Sequence, residues 1–200
     1  MTKKYEILKD ESIMVGDIKL FRIRALKDFS EVKKGDLGGF IQSEANLSHD
    51  CLAWVYDNAW IFDTARVFGN AQIKDKAHVC CNARVFGYAL VKDNAHVYDN
   101  ARVYGKAWVF GNAEVSGKAQ IYDNAHVYDN AHVYGKAWVF GNAKIFGNAQ
   151  VFGNAVVFSN AQICEKAQVC GNALVYGKTT VSGNSVVKGF TQVKSKEQID

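Results

Sequence analysis

Residues 124–143 read NAHVYDNAHVYGKAWVFGNA, close to the same six letters three times over. The period extends far beyond this stretch. From Ala53 onward a small residue returns every sixth position: alanine 21 times up to Ala173, then Thr179, Ser185 and Thr191. Two places after each stands Val or Ile, from Val55 through Val193, with no exception. The unit is A-x-V-x-(G/D)-(N/K), repeated 24 times without an insertion. A fixed short period is the signature of a stacked repeat architecture.

The physics follows from one unit. A-x-V-x alternates inward and outward, as a strand with one buried face does. Gly or Asp followed by Asn favours a tight corner and tolerates the left-handed backbone region. The sequence therefore predicts a four-residue side and a two-residue corner. Equal sides with sharp corners wind into a stacked polygon with a narrow core. Each fully buried Val or Ile contributes about 1.5–3 kcal/mol, too little for one coil to stand alone, so coils must stack.

Composition narrows the class. The chain has 200 residues, 48% of them apolar, with no proline and a formal charge of +4. That argues against disorder, and the basic excess is too thin for a nucleic-acid footprint. No run approaches the roughly 20 apolar residues of a membrane span, and no signal-peptide pattern follows Met1. Five cysteines (Cys51, Cys80, Cys81, Cys164, Cys170) form an odd set, expected as reduced thiols in a cytoplasmic protein. Phosphate-loop, nucleophile-elbow and H-E-x-x-H motifs are absent.

The stretches VFGNAQ, VYDNAH and VYGKAW resemble the hexapeptide-repeat, left-handed parallel β-helix superfamily over residues 53–199. That resemblance implies an all-β, three-sided, left-handed parallel β-helix of about eight coils, and homotrimers. Residues 25–48, ALKDFSEVKKGDLGGFIQSEANLS, are similar to a block that precedes such repeats in uncharacterised phage and bacterial proteins, some labelled acyltransferases. Two units are expected: an N-terminal β cap over 1–50 and the repeat body over 51–200. Residues 4–9 and 18–26 alternate like a hairpin, and Phe40 and Ile41 are placed to cover the first coil. The cap's charges balance, nine basic against nine acidic. Its expected work is to shield the open end of the ladder.

With three sides per coil, outward residues 18 apart stack about 4.8 Å from one another. The first wall then carries Trp54, Gln72, Leu90, Trp108, His126 and Lys144, with no chemical theme. The second carries Trp60, His78, His96, Glu114 and His132. The third carries Arg66, Arg84 and Arg102 beside Phe68, Phe86 and Tyr104, a set suited to an anionic, nucleotide-like ligand. Its later half, Trp138, Phe140, Val156, Phe158, Leu174 and Tyr176, forms an apolar strip expected to be an oligomer interface.

His78, Cys80 and His96 are the nearest approach to a metal site, but duplication of AHV triplets explains these histidines more simply. No metal, cofactor or catalytic residue is therefore assigned. The expected function is a non-catalytic binding or scaffold protein of phage type, presenting flat walls to a partner or anion. The alternatives are a hexapeptide acyltransferase with an acyl-CoA donor and inter-subunit site, and a purely structural oligomer or fibre element. Acyltransferases of that superfamily break their repeats with pocket-forming loops, and none interrupts this chain between residues 53 and 199.

Overall fold

In the computed structural model, which describes residues 3–194 and the backbone of a last strand at Gln198–Ile199, the hexads wind into a three-sided parallel solenoid. Its sheets have 11, 9 and 8 strands. Residues 18 apart pair in register along every wall, as in Arg66 with Arg84 and Arg84 with Arg102.

The strands of the hexads cover two residues, or three at Leu174–Tyr176 and Gln192–Lys194, shorter than the four-residue side the sequence predicts. The hydrogen-bond ladder nevertheless runs on around the corners. The N–H groups of Trp54, Tyr56 and Asn58 donate to the carbonyls of Ala71, Ile73 and Asp75 one coil on (3.1, 2.8 and 3.0 Å). At the corner itself the Ala59 N–H donates to the Tyr56 carbonyl (3.0 Å), a closed four-residue turn. The intervening Asp57 has φ of 53°, the left-handed region foreseen for the Gly/Asp slot.

Aspartate does more there than tolerate the backbone. Its carboxylate accepts the corner N–H of the next coil, as Asp99 does from Gly117 (2.9 Å) and Asp93 from Gly111 (3.0 Å). Neighbouring corner asparagines add amide ladders, Asn94 to Asn112 to Asn130 at 3.1 Å each. The core is two side chains deep: the hexad alanines and their Val or Ile partners are all but inaccessible to solvent.

The cap joins this body through one strand. β1 (Tyr5–Val15) and β2 (Ile18–Ala25) form an antiparallel hairpin, and β3 (Leu37–Ile41) pairs antiparallel with β2. On its other edge β3 runs parallel to Trp60–Ile61, with Phe40 beside Trp60 and Ile41 beside Ile61. The parallel ladder thus begins at β3, and the second wall has nine parallel rungs, where the hexads alone count eight coils. The extra coil escapes the hexad count because Phe40 and Trp60 lie twenty residues apart, with a short 3-10 turn at Glu44–Asn46.

Side chains from the cap satisfy the exposed end. Lys4 Nζ donates to the Ala53 carbonyl (2.7 Å), Tyr5 Oη to the Leu47 carbonyl (2.8 Å), and Asn46 Nδ2 to the Ala65 carbonyl (3.0 Å). Burial pulls the Lys4 ammonium down to about 8 and pushes the Tyr5 phenol well above its ordinary value.

Candidate functional site

The third wall is the most sharply organised surface. Phe68, Phe86, Tyr104, Tyr122, Phe140, Phe158 and Tyr176 form one unbroken stack, with centroids 4.8–5.0 Å apart and planes within 7°. Such a stack covers both faces of its internal rings, Phe86 and Tyr104 among them, and leaves their edges outward. At the upper end the Lys194 ammonium lies 5.8 Å from the Tyr176 ring. The lower end differs. Leu47 bridges to Val67, so the residue below Phe68 is Ser48, a small side chain where the seven rungs from Phe68 to Tyr176 each carry a ring.

The three sequence-predicted arginines stand beside this stack on successive rungs, all exposed. Among the described residues, none of their guanidinium groups has an ion-pair or hydrogen-bond partner. Like charges carried on successive rungs, about 4.8 Å from one to the next along the backbone, repel one another, and an anion between them removes that repulsion. At the foot of the wall, a depression of about 510 Å³ is lined by Ala45, Ser48, Arg66, Val67, Phe68 and Arg84. A second, of about 300 Å³, is lined by Asn100, Arg102, Lys118 and Gln120. Higher up, Trp138 is 44% exposed, while Val156, Leu174 and the ring edges of Phe140, Phe158 and Tyr176 are half-buried.

The second wall holds the Trp60, His78 and His96 column expected of it, and extends that column downward into the cap. The Arg22 guanidinium lies 4.2 Å from the Phe40 ring, Trp60 stacks on His78 at 4.1 Å, and His78 on His96 at 4.7 Å. A depression of about 580 Å³ beside it is lined in part by Ile13, Arg22, Phe40 and Trp60. Arg22 and Phe40 belong to β2 and β3, outside the hexads, and only the β2–β3–Trp60 pairing puts them in this column. Burial first, and the neighbouring His96 second, hold the His78 imidazole down to about 4, so it is neutral at pH 7. Further along, Glu114 Oε2 lies 3.6 Å from His132 Nδ1.

His78, Cys80 and His96 do not converge. The two imidazoles lie face to face, 18° from parallel, which keeps their nitrogens in separate planes, and these side chains do not fall into a common ligand cluster. Cys80 Sγ instead sits 3.8 Å from Cys81 Sγ, near Asp63. Burial above all, and the adjoining Cys81, push the Cys80 thiol up to about 12.

A family model described as YdcK Beta solenoid repeat matches residues 95–111, 119–135, 149–165 and 167–183. Each match starts on a hexad alanine and runs for one coil less a residue. The chain is a β-solenoid repeat protein. The matches cover about a third of it, and their starts fall on different walls, because the hexads of the three walls are near-equivalent in sequence. No curated protein matches the chain.

Proposed function

We propose that this β-solenoid is a non-catalytic binding protein that holds an anionic, ring-bearing ligand of nucleotide type at the foot of its third wall. The observation that carries the reading is the pairing of two unpartnered guanidiniums, Arg66 and Arg84, with a Phe68 ring that has only Ser48 below it. A planar base continues the aromatic stack by one more rung. Its phosphates then meet the two arginines, whose planar forks suit phosphate oxygens. Arg102, with Phe86 and Tyr104, extends the basic strip upward.

The apolar upper half, from Trp138 to Tyr176, serves self-association, with a trimer favoured. The hexads run unbroken from Ala53 to Lys194, without the loops that would build an acyl-CoA pocket, and this favours binding over acyl transfer.

Calorimetric titration with ADP, pyrophosphate and acetyl-CoA tests the reading. The account expects ADP to bind and to remain unchanged chemically. Each charge-assisted contact is worth about 1.5–3 kcal/mol, so Arg66→Glu and Arg84→Glu should each weaken ADP at least about tenfold. Absence of ADP binding by the wild-type chain, or equal affinity in both variants, overturns it. Turnover of acetyl-CoA would favour the acyltransferase reading. Light scattering on the wild-type chain and Trp138→Glu tests the oligomer: a monomeric wild type removes that part.

A further inference from the structure

We propose that Asp63, Cys80 and Cys81 form a binding site for one soft divalent metal ion of the zinc class, at the corner between the second and third walls. The site is independent of the ligand proposed for the third wall. Its three candidate ligand atoms, two thiol sulfurs and a carboxylate oxygen, all lie within 4.8 Å of one another. Among the described residues this is the only such grouping of three or more His, Cys, Asp and Glu side chains.

The sulfur spacing is the sharpest argument. Tetrahedral zinc with Zn–S bonds of about 2.3 Å requires two thiolates about 3.8 Å apart. The Cys80 and Cys81 sulfurs are 3.8 Å apart. Adjacent residues in a regular strand point to opposite sides and cannot do this. Here the second cysteine occupies the corner slot with φ of 59°, which turns the chain and brings both thiols to the outer side. The same slot one coil below and one coil above holds Asp63 and Asp99, whose carboxylates each serve the corner N–H of the next coil. A cysteine gains nothing from the left-handed backbone that Gly or Asp would not supply at less strain.

Asp63 is already oriented towards the pair. Its Oδ2 accepts the Cys81 N–H at 3.2 Å, as a carboxylate held beside a ligand set should be. The surroundings are negative: Asp63 and Asp99 both act against ionisation of Cys80. A bound cation reverses that effect, since coordination deprotonates a thiol outright. Both sulfurs are half-buried and Asp63 is exposed, so a fourth position stays open to water.

Cobalt(II) titration of the reduced full-length chain tests the proposal. The expected result is one cobalt per chain, with intense visible bands of a tetrahedral ion and a thiolate charge-transfer band, all displaced by Zn²⁺. The double variant Cys80→Ser/Cys81→Asp should lose both signals. It keeps residue types the fold already accepts, Ser116 in the first slot and Asp63 and Asp99 in the second. Circular dichroism confirms that it is folded. Asp63→Asn should weaken cobalt by at least about tenfold, since loss even of an outer-shell partner costs about 10–100-fold. Cys164→Ser/Cys170→Ser should leave the spectrum unchanged. Absence of the charge-transfer band in the wild-type chain, its survival in the double variant, or half a cobalt per chain each overturns the site.

Discussion

Truncating Phe86 to alanine tests the stacked register in energetic form. The Phe86 ring lies 4.8 Å from Phe68 and 4.8 Å from Tyr104, with interplanar angles of 3° and 1°. Each aromatic pair is worth about 0.5–1.5 kcal/mol beyond its buried area, so two stacks are lost together. The half-buried ring contributes about 1 kcal/mol more, roughly half the value of a fully buried one. Phe86→Ala should therefore cost about 2–4 kcal/mol. Phe68→Ala breaks a single stack and should cost about 0.5–1.5 kcal/mol less.

Urea unfolding followed by circular dichroism, with the slope m unchanged between variants, measures these differences. A double-mutant cycle sharpens the test. Phe86 and Tyr104 should show a coupling of about 0.5–1.5 kcal/mol. Phe86 and Phe140 are three rungs, about 14 Å, apart and should be additive to within about 0.5 kcal/mol. Equal coupling in both pairs, or none in the first, refutes the stack as an energetic unit.

Two further outcomes follow from single side chains. Because burial holds the His78 imidazole down to about 4, the unfolded chain takes up its proton first as pH falls. His78 therefore contributes fully above about pH 6.5, and that contribution is lost as pH drops towards 4. His78→Gln, with the residue that fills the same slot at Gln150 and Gln168, should flatten the slope of stability between pH 4 and 6.5. An unchanged slope in urea midpoints would contradict the burial argument. At the corner, Asp99→Ala loses the acceptor for the Gly117 N–H but keeps the strained φ of 58°, and should cost about 0.5–1.5 kcal/mol. Asp99→Gly relieves the strain and should be near neutral by thermal melting. A larger loss for glycine than for alanine refutes the account of that slot.

Much of this architecture is legible in the chain because one residue pattern is repeated without interruption. Ala at the first place of 21 hexads and Val or Ile at the third place from Val55 to Val193 specify buried positions, and all of these are buried, while Ser185 and Thr191 at the first place of later hexads are not. The 18-residue columns follow once three sides are granted, and the Arg66–Arg84–Arg102 and aromatic columns stand in the register expected of them.

The first coil is half legible: Phe40 and Ile41 are placed over it by the sequence, but the 3-10 turn at Glu44–Asn46 lengthens the span to Trp60 and hides that they pair as a rung of the ladder. The second-wall column of Trp60, His78 and His96 is legible, but its extension to Arg22 is not: Arg22 reaches it through antiparallel pairing, which no hexad count encodes. Corner chemistry is half legible. Gly and Asp both announce positive φ, but the aspartate bond to the next coil depends on stacking distance. The Cys80–Cys81 juxtaposition is hidden for the same cause: strand alternation predicts divergent thiols, and the corner backbone brings them together.

Filling the position under Phe68 tests the ligand reading most directly. Ser48→Phe places a ring where the account seats the base, and leaves Arg66 and Arg84 untouched. A Ser48→Ala control accounts for the lost hydrogen bond from the Asp50 N–H (3.0 Å). Titrated side by side, ADP affinity should fall in Ser48→Phe to that of pyrophosphate, whose own affinity stays constant. Undiminished ADP binding by Ser48→Phe would contradict the seat of the base at the foot of the third wall.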